Sequence, residues 1–339
     1  MALSNRQLQL ARRPSGLPSL QDFALTSHSL NSTLAAGQVL VKVRYLSIDP
    51  AMRVWISGVK TYFNPVNPGD LMPSLGLGEV LQSASDKLQP GDLVRGMLGW
   101  QDYAVCQASD LQRLPKDNNP SQHLGVLGIN GLSAYIGLVT IAKIKEGETV
   151  LISTAAGAVG SVAVQIAKVK GCRVVGIAGS DEKCAWVCRD LGADACFNYK
   201  TVTSIRQAIR THCPAGLDVY FDNVGGETLS AALQQMNQSG RIAMCGSIES
   251  YNQEAPKPWT NYSTLILKNV MVQGFIVMNY AQEFSGALTQ LRTWLQAGKI
   301  KHREELLEGL ENCPRGLRML FTGENKGKVI VRLEPTARL

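Results

Sequence analysis

A chain of 339 residues with 45% apolar side chains is too long for one ordinary core and suits two domains. No apolar run reaches the length of a membrane span, and none stands at the start as a secretory leader would, so neither a membrane nor secretion is expected. The formal charge of +7 is scattered over the chain rather than gathered in one stripe, which argues for a solvated surface and against nucleic acid, while leaving cations for an anionic ligand.

Up to about residue 126 the pattern is short strands separated by turns. Residues 38–49 alternate apolar and polar (Val39, Val41, Val43, Tyr45), and further short runs follow at 78–82, 93–97 and 103–106. Pro68-Gly69-Asp70 and Pro90-Gly91-Asp92 punctuate them. A small, partly closed β domain is the natural reading. A Gly-rich stretch and a helix follow at 125–138. From there strands at 148–154, 172–178, 195–198, 217–222 and 240–246 alternate with helices at 158–170, 181–191, 203–212 and 226–237. Regular alternation of this kind predicts an α/β fold with a doubly wound parallel sheet, whose ligands bind beyond the carboxyl ends of the strands. A Pro-containing loop at 252–261, a strand at 270–277, a helix at 281–297 and a last strand at 329–333, returning to the first domain, complete the expectation.

The turn after the strand at 148–154 is the most informative. It offers Gly157 and Gly160 with only Ala158 and Val159 between them, and a helix then begins. Glycine lets a flat anionic group approach the backbone, and the helix aims unpaired amides at it. The motif is incomplete, because Thr154 or Ala155 stands where G-x-G-x-x-G has its first glycine. The other strand ends, at Gly179-Ser180, Asn198-Tyr199-Lys200, Asp222-Asn223 and Gly246-Ser247-Ile248, carry small, polar or aromatic residues in the same register. An NAD site needs a carboxylate after the second strand, and an NADP site needs cations for a phosphate. Here that strand ends in Ala178-Gly179-Ser180 with Lys183 and Lys200 nearby, so NADP is the expected cofactor, with Ser180 and Lys183 on its phosphate. Asp181 and Glu182 stand against this, but the first turn of a helix capped by Ser180 accounts for them.

The motifs Leu46-Ser-Ile-Asp-Pro-Ala-Met-Arg53, Gly131-Leu-Ser-Ala-Tyr-Ile-Gly-Leu138, Ala155-Ala-Gly-Ala-Val-Gly-Ser161, Phe221-Asp-Asn-Val-Gly-Gly226 and Gly323-Glu-Asn-Lys-Gly-Lys328 span nearly the whole chain in order. In them the sequence resembles zinc-independent members of the medium-chain dehydrogenase/reductase superfamily, most closely the prostaglandin reductase, or leukotriene B4 12-hydroxydehydrogenase, group of alkenal/one reductases. The resemblance implies a GroES-like β barrel over 1–126, completed by 304–339, and a Rossmann NADP-binding domain over 127–303. It also implies an active site in the cleft between them, and a homodimer. On the matching positions it implies NADP contacts from Gly157, Ala158, Val159, Gly160, Lys183, Tyr199, Asn223, Cys245, Gly246, Ser247, Ile248, Tyr251, Phe275, Ile276, Val277 and Asn325.

The zinc branch carries a G-H-E motif in the barrel, and the similar place here reads Gly76-Leu77-Gly78-Glu79. The eight cysteines hold no C-x-x-C pair and the four histidines are dispersed, so no metal site is expected. The reaction implied is addition of hydride from NADPH to the β carbon of an α,β-unsaturated aldehyde or ketone. A donor must then meet charge growing on the carbonyl oxygen. Tyr251 is the first candidate and Tyr62 the second, since a phenol can donate at neutral pH. Asn130, in the Ile129-Asn130 pair where similar proteins often have Met-Pro, is a candidate substrate contact along with both tyrosines. Rival readings are an NADPH:quinone oxidoreductase and a non-catalytic NADPH-binding sensor. The cytoplasm is the default location, and Ala337-Arg338-Leu339 resembles a peroxisomal address.

Overall fold

The structure is a computed structural model that describes residues 3–30, 33–115, 119–255 and 258–333. The Ala337-Arg338-Leu339 tripeptide lies outside the described residues, as do residues 256–257 of the Pro-containing loop. Two compact units are present, one formed by the residues up to Leu124 together with those from Glu304 onward, the other by Gly125–Arg303.

The first unit opens with β1 (Leu3–Leu10) and β2 (Phe23–Leu30), an antiparallel ladder running from Leu3↔Leu30 to Leu10↔Phe23. Then come β3 (Gln38–Ser47), α1 (Ala51–Trp55), β4 (Leu75–Ser83), β5 (Leu93–Met97), β6 (Tyr103–Gln107) and β7 (Gln112–Arg113). β3 is the organising strand. Its alternating Val39, Val41 and Val43 are buried together with Leu46 and Trp100, and it pairs with both β4 and β6.

The second unit begins with α2 (Ile129–Tyr135), which runs into a π-helical turn at Ile136–Ile141. It continues through β8 (Thr149–Ile152), α3 (Ala158–Val169), β9 (Arg173–Ala178), α4 (Asp181–Arg189), β10 (Ala195–Asn198), α5 (Ile205–His212), β11 (Leu217–Asp222), α6 (Gly226–Gln235) and β12 (Met236–Met244). The last elements are α7 (Ser263–Leu267), β13 (Met271–Gly274) and α8 (Phe284–Gln296). The six strands form one parallel sheet in the order β10-β9-β8-β11-β12-β13. Both faces are covered: Val150, Ile152 and Phe221 belong to one apolar core, Leu151, Val175 and Tyr220 to the other. This is a Rossmann-type α/β sheet. Its order reverses between β8 and β11, the kind of point beyond whose strand ends such sheets bind ligands.

The chain then returns to the first unit with β14 (Glu304–Glu308), α9 (Cys313–Thr322) and β15 (Lys328–Arg332), the last antiparallel to β3 with Ile330 opposite Ser47. Lys328 fastens this return. Its buried ammonium donates to Ile48 O and Asp49 Oδ1, both at 2.7 Å, and the Ser47 hydroxyl donates to the other Asp49 oxygen. Burial holds the Lys328 ammonium below the usual lysine range, with Asp49 opposing.

Some boundaries differ from expectation. β12 starts at Met236 rather than 240, because α6 stops at Gln235 and the chain turns straight into the strand. The strand expected at 270–277 ends at Gly274, and a 3-10 segment, Val277–Glu283, precedes α8. Helix α9 and the β1–β2 ladder were not placed by periodicity. The helix nonetheless carries ordinary punctuation, Pro314 in its first turn and Gly323 in the left-handed conformation at its end (φ 74°).

Candidate active site

Four of the helices that follow strands of the parallel sheet begin differently, and the difference singles out α3. Ser180 caps α4, its hydroxyl accepting from Lys183 N at 3.2 Å, and Ser204 caps α5 by accepting from Gln207 N at 3.3 Å. At α6 the Glu249 carboxylate accepts from Glu227 N at 3.3 Å. Helix α3 starts on Gly157, which has no side chain to offer its first amides. A Cβ at Gly157 would meet only Thr154 atoms, at 3.2 Å and beyond, so its space opens outward. Gly160 is different: a Cβ there would lie 2.2 Å from Thr154 O, so the helix packs directly on the end of β8. Thr154 itself adopts a left-handed backbone (φ 49°). The tight turn that a glycine usually makes is carried by threonine, a strained choice that periodicity does not reveal.

The sequence-derived residues of the second unit gather along the carboxyl edge of its sheet. Gly157, Ala158, Val159 and Gly160 follow β8; Ser180 and Lys183 follow β9; Tyr199 follows β10; Asn223 follows β11. Cys245, Gly246, Ser247, Ile248 and Tyr251 follow β12, and Phe275, Ile276 and Val277 follow β13. Lys183 is buried although charged, at 8% exposure. Asp181, the sequence feature that favoured NAD, is engaged within the fold: its Oδ1 accepts from Asn198 Nδ2 at 2.9 Å. Tyr199 is half exposed beside Gly179, with Lys200 Nζ 6.0 Å from its ring centre. Phe275 and Ile276 line an open pocket with Gly274, Asn279 and Tyr280. Phe275 and Tyr280 meet edge to face, 6.4 Å apart.

The point of strand reversal is held by Asn223 together with Ser153 and Asp222, the latter two left without a role by the sequence. Asn223 N donates to Ser153 Oγ and Asn223 Nδ2 to Ser153 O, each at 2.8 Å, which clamps the end of β11 to the end of β8. Asp222, fully buried, accepts at Oδ1 from the Tyr220 hydroxyl (2.7 Å), Val224 N (2.9 Å), Gly225 N (3.0 Å) and, across the strands, the Ser153 hydroxyl (3.5 Å). Its Oδ2 meets no donor among the described residues, and burial pushes the carboxyl above the usual carboxylate range against those four bonds. Ser153 and Asp222 were visible only as strand-end polar residues. Their pairing across β8 and β11 needed the topology.

Tyr251 turns back on its own loop, where its hydroxyl accepts from Ser247 N at 3.3 Å. Asn130 is buried in the first turn of α2. Tyr62 and Asn325 belong to the first unit. The former is 60% exposed on a loop anchored by the stack of Phe63 on Trp55 (centroids 4.4 Å apart), and Asn325 Nδ2 donates to Gly327 O at 3.0 Å within its own turn. The Gly76-Leu77-Gly78-Glu79 segment, the place similar to the zinc branch's G-H-E, lies on β4 and carries no histidine. At Gly78 a Cβ would lie 2.4 Å from Val41 Cγ1 and 2.6 Å from Lys42 O, so β3 and β4 leave no room there for a larger side chain. Among the described residues no group of three or more His, Cys, Asp or Glu is arranged to hold a metal ion.

A parallel sheet with an uncapped helix at its reversal point, joined to a β-sheet unit that the chain enters at both ends, defines a dinucleotide-binding oxidoreductase. Comparison with known proteins narrows the class. Residues 6–114 match the family described as the N-terminal domain of oxidoreductase, and residues 158–293 the one described as zinc-binding dehydrogenase. The rat protein prostaglandin reductase 1 is 42% identical over 323 residues, covering 94% of this chain and 95% of that protein. The tobacco NADP(+)-dependent 2-alkenal reductase is 37% identical over 97% of both chains. The crystal structure of CurA in complex with NADPH from Vibrio vulnificus superposes with a TM-score of 0.92 at 37% identity, covering 97% of this chain and 99% of that one. The chain belongs to the zinc-independent, NADP-dependent branch of the medium-chain dehydrogenase/reductase family.

Proposed function

We propose that this protein reduces the carbon–carbon double bond of α,β-unsaturated aldehydes and ketones with NADPH. The observation that carries the cofactor half of this reading is the uncapped amino end of α3 over Gly157, with buried Lys183 at the end of the neighbouring strand. The substrate half rests on the relatives, among them a 2-alkenal reductase and a prostaglandin reductase. When bound, NADPH supplies the hydride that reaches the β carbon. In this reading Ala158, Val159 and Gly160 offer backbone amides to the pyrophosphate, and Ser180, Lys183 and Tyr199 hold the adenosine end. Asn223, Cys245–Ile248, Phe275–Val277 and Asn325 complete the cofactor contacts. Tyr251 holds a proton at the substrate carbonyl oxygen; accepting from Ser247 N strengthens its hydroxyl as a donor. Tyr62 and Asn130 shape the place for the rest of the substrate.

NADPH consumption measured with equal concentrations of 2-alkenals, enones and quinones tests the reading. Fastest loss with alkenals or enones is expected, loss with quinones alone would favour a quinone reductase, and no loss with any would leave a non-catalytic binder. Tyr251→Phe is expected to lower kcat about 30-fold, the worth of one hydrogen bond to a developing charge (roughly 2 kcal/mol), with the Kd for NADPH little changed. Steady-state kinetics beside a binding titration separates the two. Unchanged kcat would move the donor role to Tyr62.

We also propose a homodimer through β13. That strand is one of the two edges of the six-stranded sheet, and exposed Met271 lies on it with Ile266 and Leu267 on the adjoining α7. An unpaired strand edge beside exposed apolar side chains is what a second copy would cover. Met271→Asp is expected to convert the dimer to a monomer in sedimentation velocity. A wild-type monomer at micromolar concentration would refute the interface.

A further inference from the structure

Three cysteines come together beneath the residues assigned above to the NADP phosphate. Cys184 and Cys188 lie one turn apart on α4 and therefore share a face of that helix, and Cys196 lies on the neighbouring β10. Cys184 belongs to the apolar core between α4 and the sheet, and Cys196 packs against that same core from β10, so the two thiols face each other across the helix–sheet interface. The fold makes room for the pair at Gly176, the β9 partner of Cys196. A Cβ there would stand 3.1 Å from Cys196 Sγ and 3.0 Å from Val187 Cγ1.

The two thiols are chemically unequal. Cys184 is in the first turn of α4, where the helix dipole favours a thiolate, and the neighbouring Cys196 thiol holds it below the usual thiol range. Cys196 is pushed far up by Cys184 in turn and by burial. Burial, with Glu148 adding to it at Cys172, pushes Cys172 and Cys213 up to about 11, which leaves them poor nucleophiles. Cys184 is buried but borders half-buried Cys188 and Cys196, so a small oxidant can reach the cluster.

We infer that Cys184 and Cys196 form a dithiol site that hydroperoxides oxidise reversibly to a disulfide. The Cys184 thiolate attacks one oxygen of the peroxide and breaks the O–O bond. The other oxygen leaves with a proton as water or alcohol, and Cys184 becomes a sulfenic acid. The Cys196 sulfur then attacks Cys184 Sγ and forms the S–S bond, while its proton and the sulfenic hydroxyl leave as water. A thiol reductant supplies the two electrons for the return.

Lys183 immediately precedes Cys184 and Tyr199 follows Cys196 by three residues. Closing the disulfide draws the first turn of α4 toward β10 and displaces these two groups relative to each other. This consequence, unlike the thiol chemistry, rests on the proposed NADP site.

The test uses the full chain treated with hydrogen peroxide, blocked with N-ethylmaleimide and digested with trypsin. Cleavage after Lys183, Arg189 and Lys200 separates Cys184-Ala-Trp-Val-Cys188-Arg189 from the peptide that carries Cys196. The two peptides are expected to be disulfide-linked in the wild type and in Cys188→Ser, unlinked in Cys184→Ser and Cys196→Ser, and released by dithiothreitol. The oxidised wild type is expected to bind NADPH about fivefold more weakly, with no change in peroxide-treated Cys196→Ser. Unlinked peptides, or a link that runs through Cys188, would overturn the site. Full linkage with NADPH affinity within about twofold would overturn its coupling to the cofactor. If the reduced wild type itself fails to bind NADPH, the cofactor assignment falls while the peptide result still stands or fails by itself.

Discussion

Lys183→Ala is expected to raise the Kd for NADPH about 100-fold while changing that for NADH less than about threefold. The two cofactors differ by one phosphate, so the ratio isolates whatever holds that group. Lys183 is the basic residue in the first turn of α4, and its buried stem limits the positions its ammonium can take. Charge-assisted bonds of this kind are worth about 1.5–3 kcal/mol each, and a buried anion left without its cation adds to the loss. Asp181, the carboxylate beside Lys183, accepts at Oδ1 from Asn198 Nδ2 at 2.9 Å. Fluorescence titration with both cofactors at two ionic strengths provides the check. Equal weakening of both would refute the phosphate role and assign Lys183 to structure.

Replacing Lys328 by methionine is expected to lower the unfolding free energy by about 3–5 kcal/mol. The buried ammonium holds Ile48 O and Asp49 Oδ1 on the chain that leaves β3, so its loss strands a carboxylate and a carbonyl together. The Lys328→Met/Asp49→Leu pair is expected to recover most of the loss, because a buried ion pair replaced by apolar side chains is often near neutral. Burial lowers the native pKa of Lys328, and the unfolded value is about 10.4. Below the native pKa the group is charged in both states and its contribution is constant. As pH rises through that value the native state sheds the proton while the unfolded chain keeps it, so the wild type gains stability that Lys328→Met does not. Urea titrations of the wild type and both variants across alkaline pH would measure this. A loss below about 1 kcal/mol for the single variant would show the pair to be incidental.

Lys328 also shows how much of a motif periodicity can explain. In the linear chain, Leu46-Ser-Ile-Asp and Asn325-Lys-Gly-Lys are unrelated fragments known only by resemblance. In the fold the first supplies Ser47 and Asp49, the second supplies Lys328, and they meet where β15 pairs with β3. The small core beneath them was legible because alternating valines admit few other readings. The β1–β2 ladder was not, since Ser27, His28 and Ser29 face Arg6, Asn5 and Ser4 across a largely polar pair of strands.

By itself the sequence determined the class of the second unit and pointed to the strand ends where its cofactor is proposed to bind. Continuous apolar strands alternating with amphipathic helices leave little choice but a parallel sheet covered on both faces. Small residues at Gly157 and Gly160 and a lysine after the next strand follow from what a phosphate requires. Tertiary structure alone decided which helix start stays open to a ligand, because caps such as Ser180 at Lys183 N are local hydrogen bonds that residue type permits but does not compel. It also decided that Ser153 and Asn223 clamp the reversal point, and that three cysteines on two elements become neighbours. Those arrangements depend on the order of strands in the sheet, which joins residues about 70 positions apart through non-local pairing that no window of sequence contains.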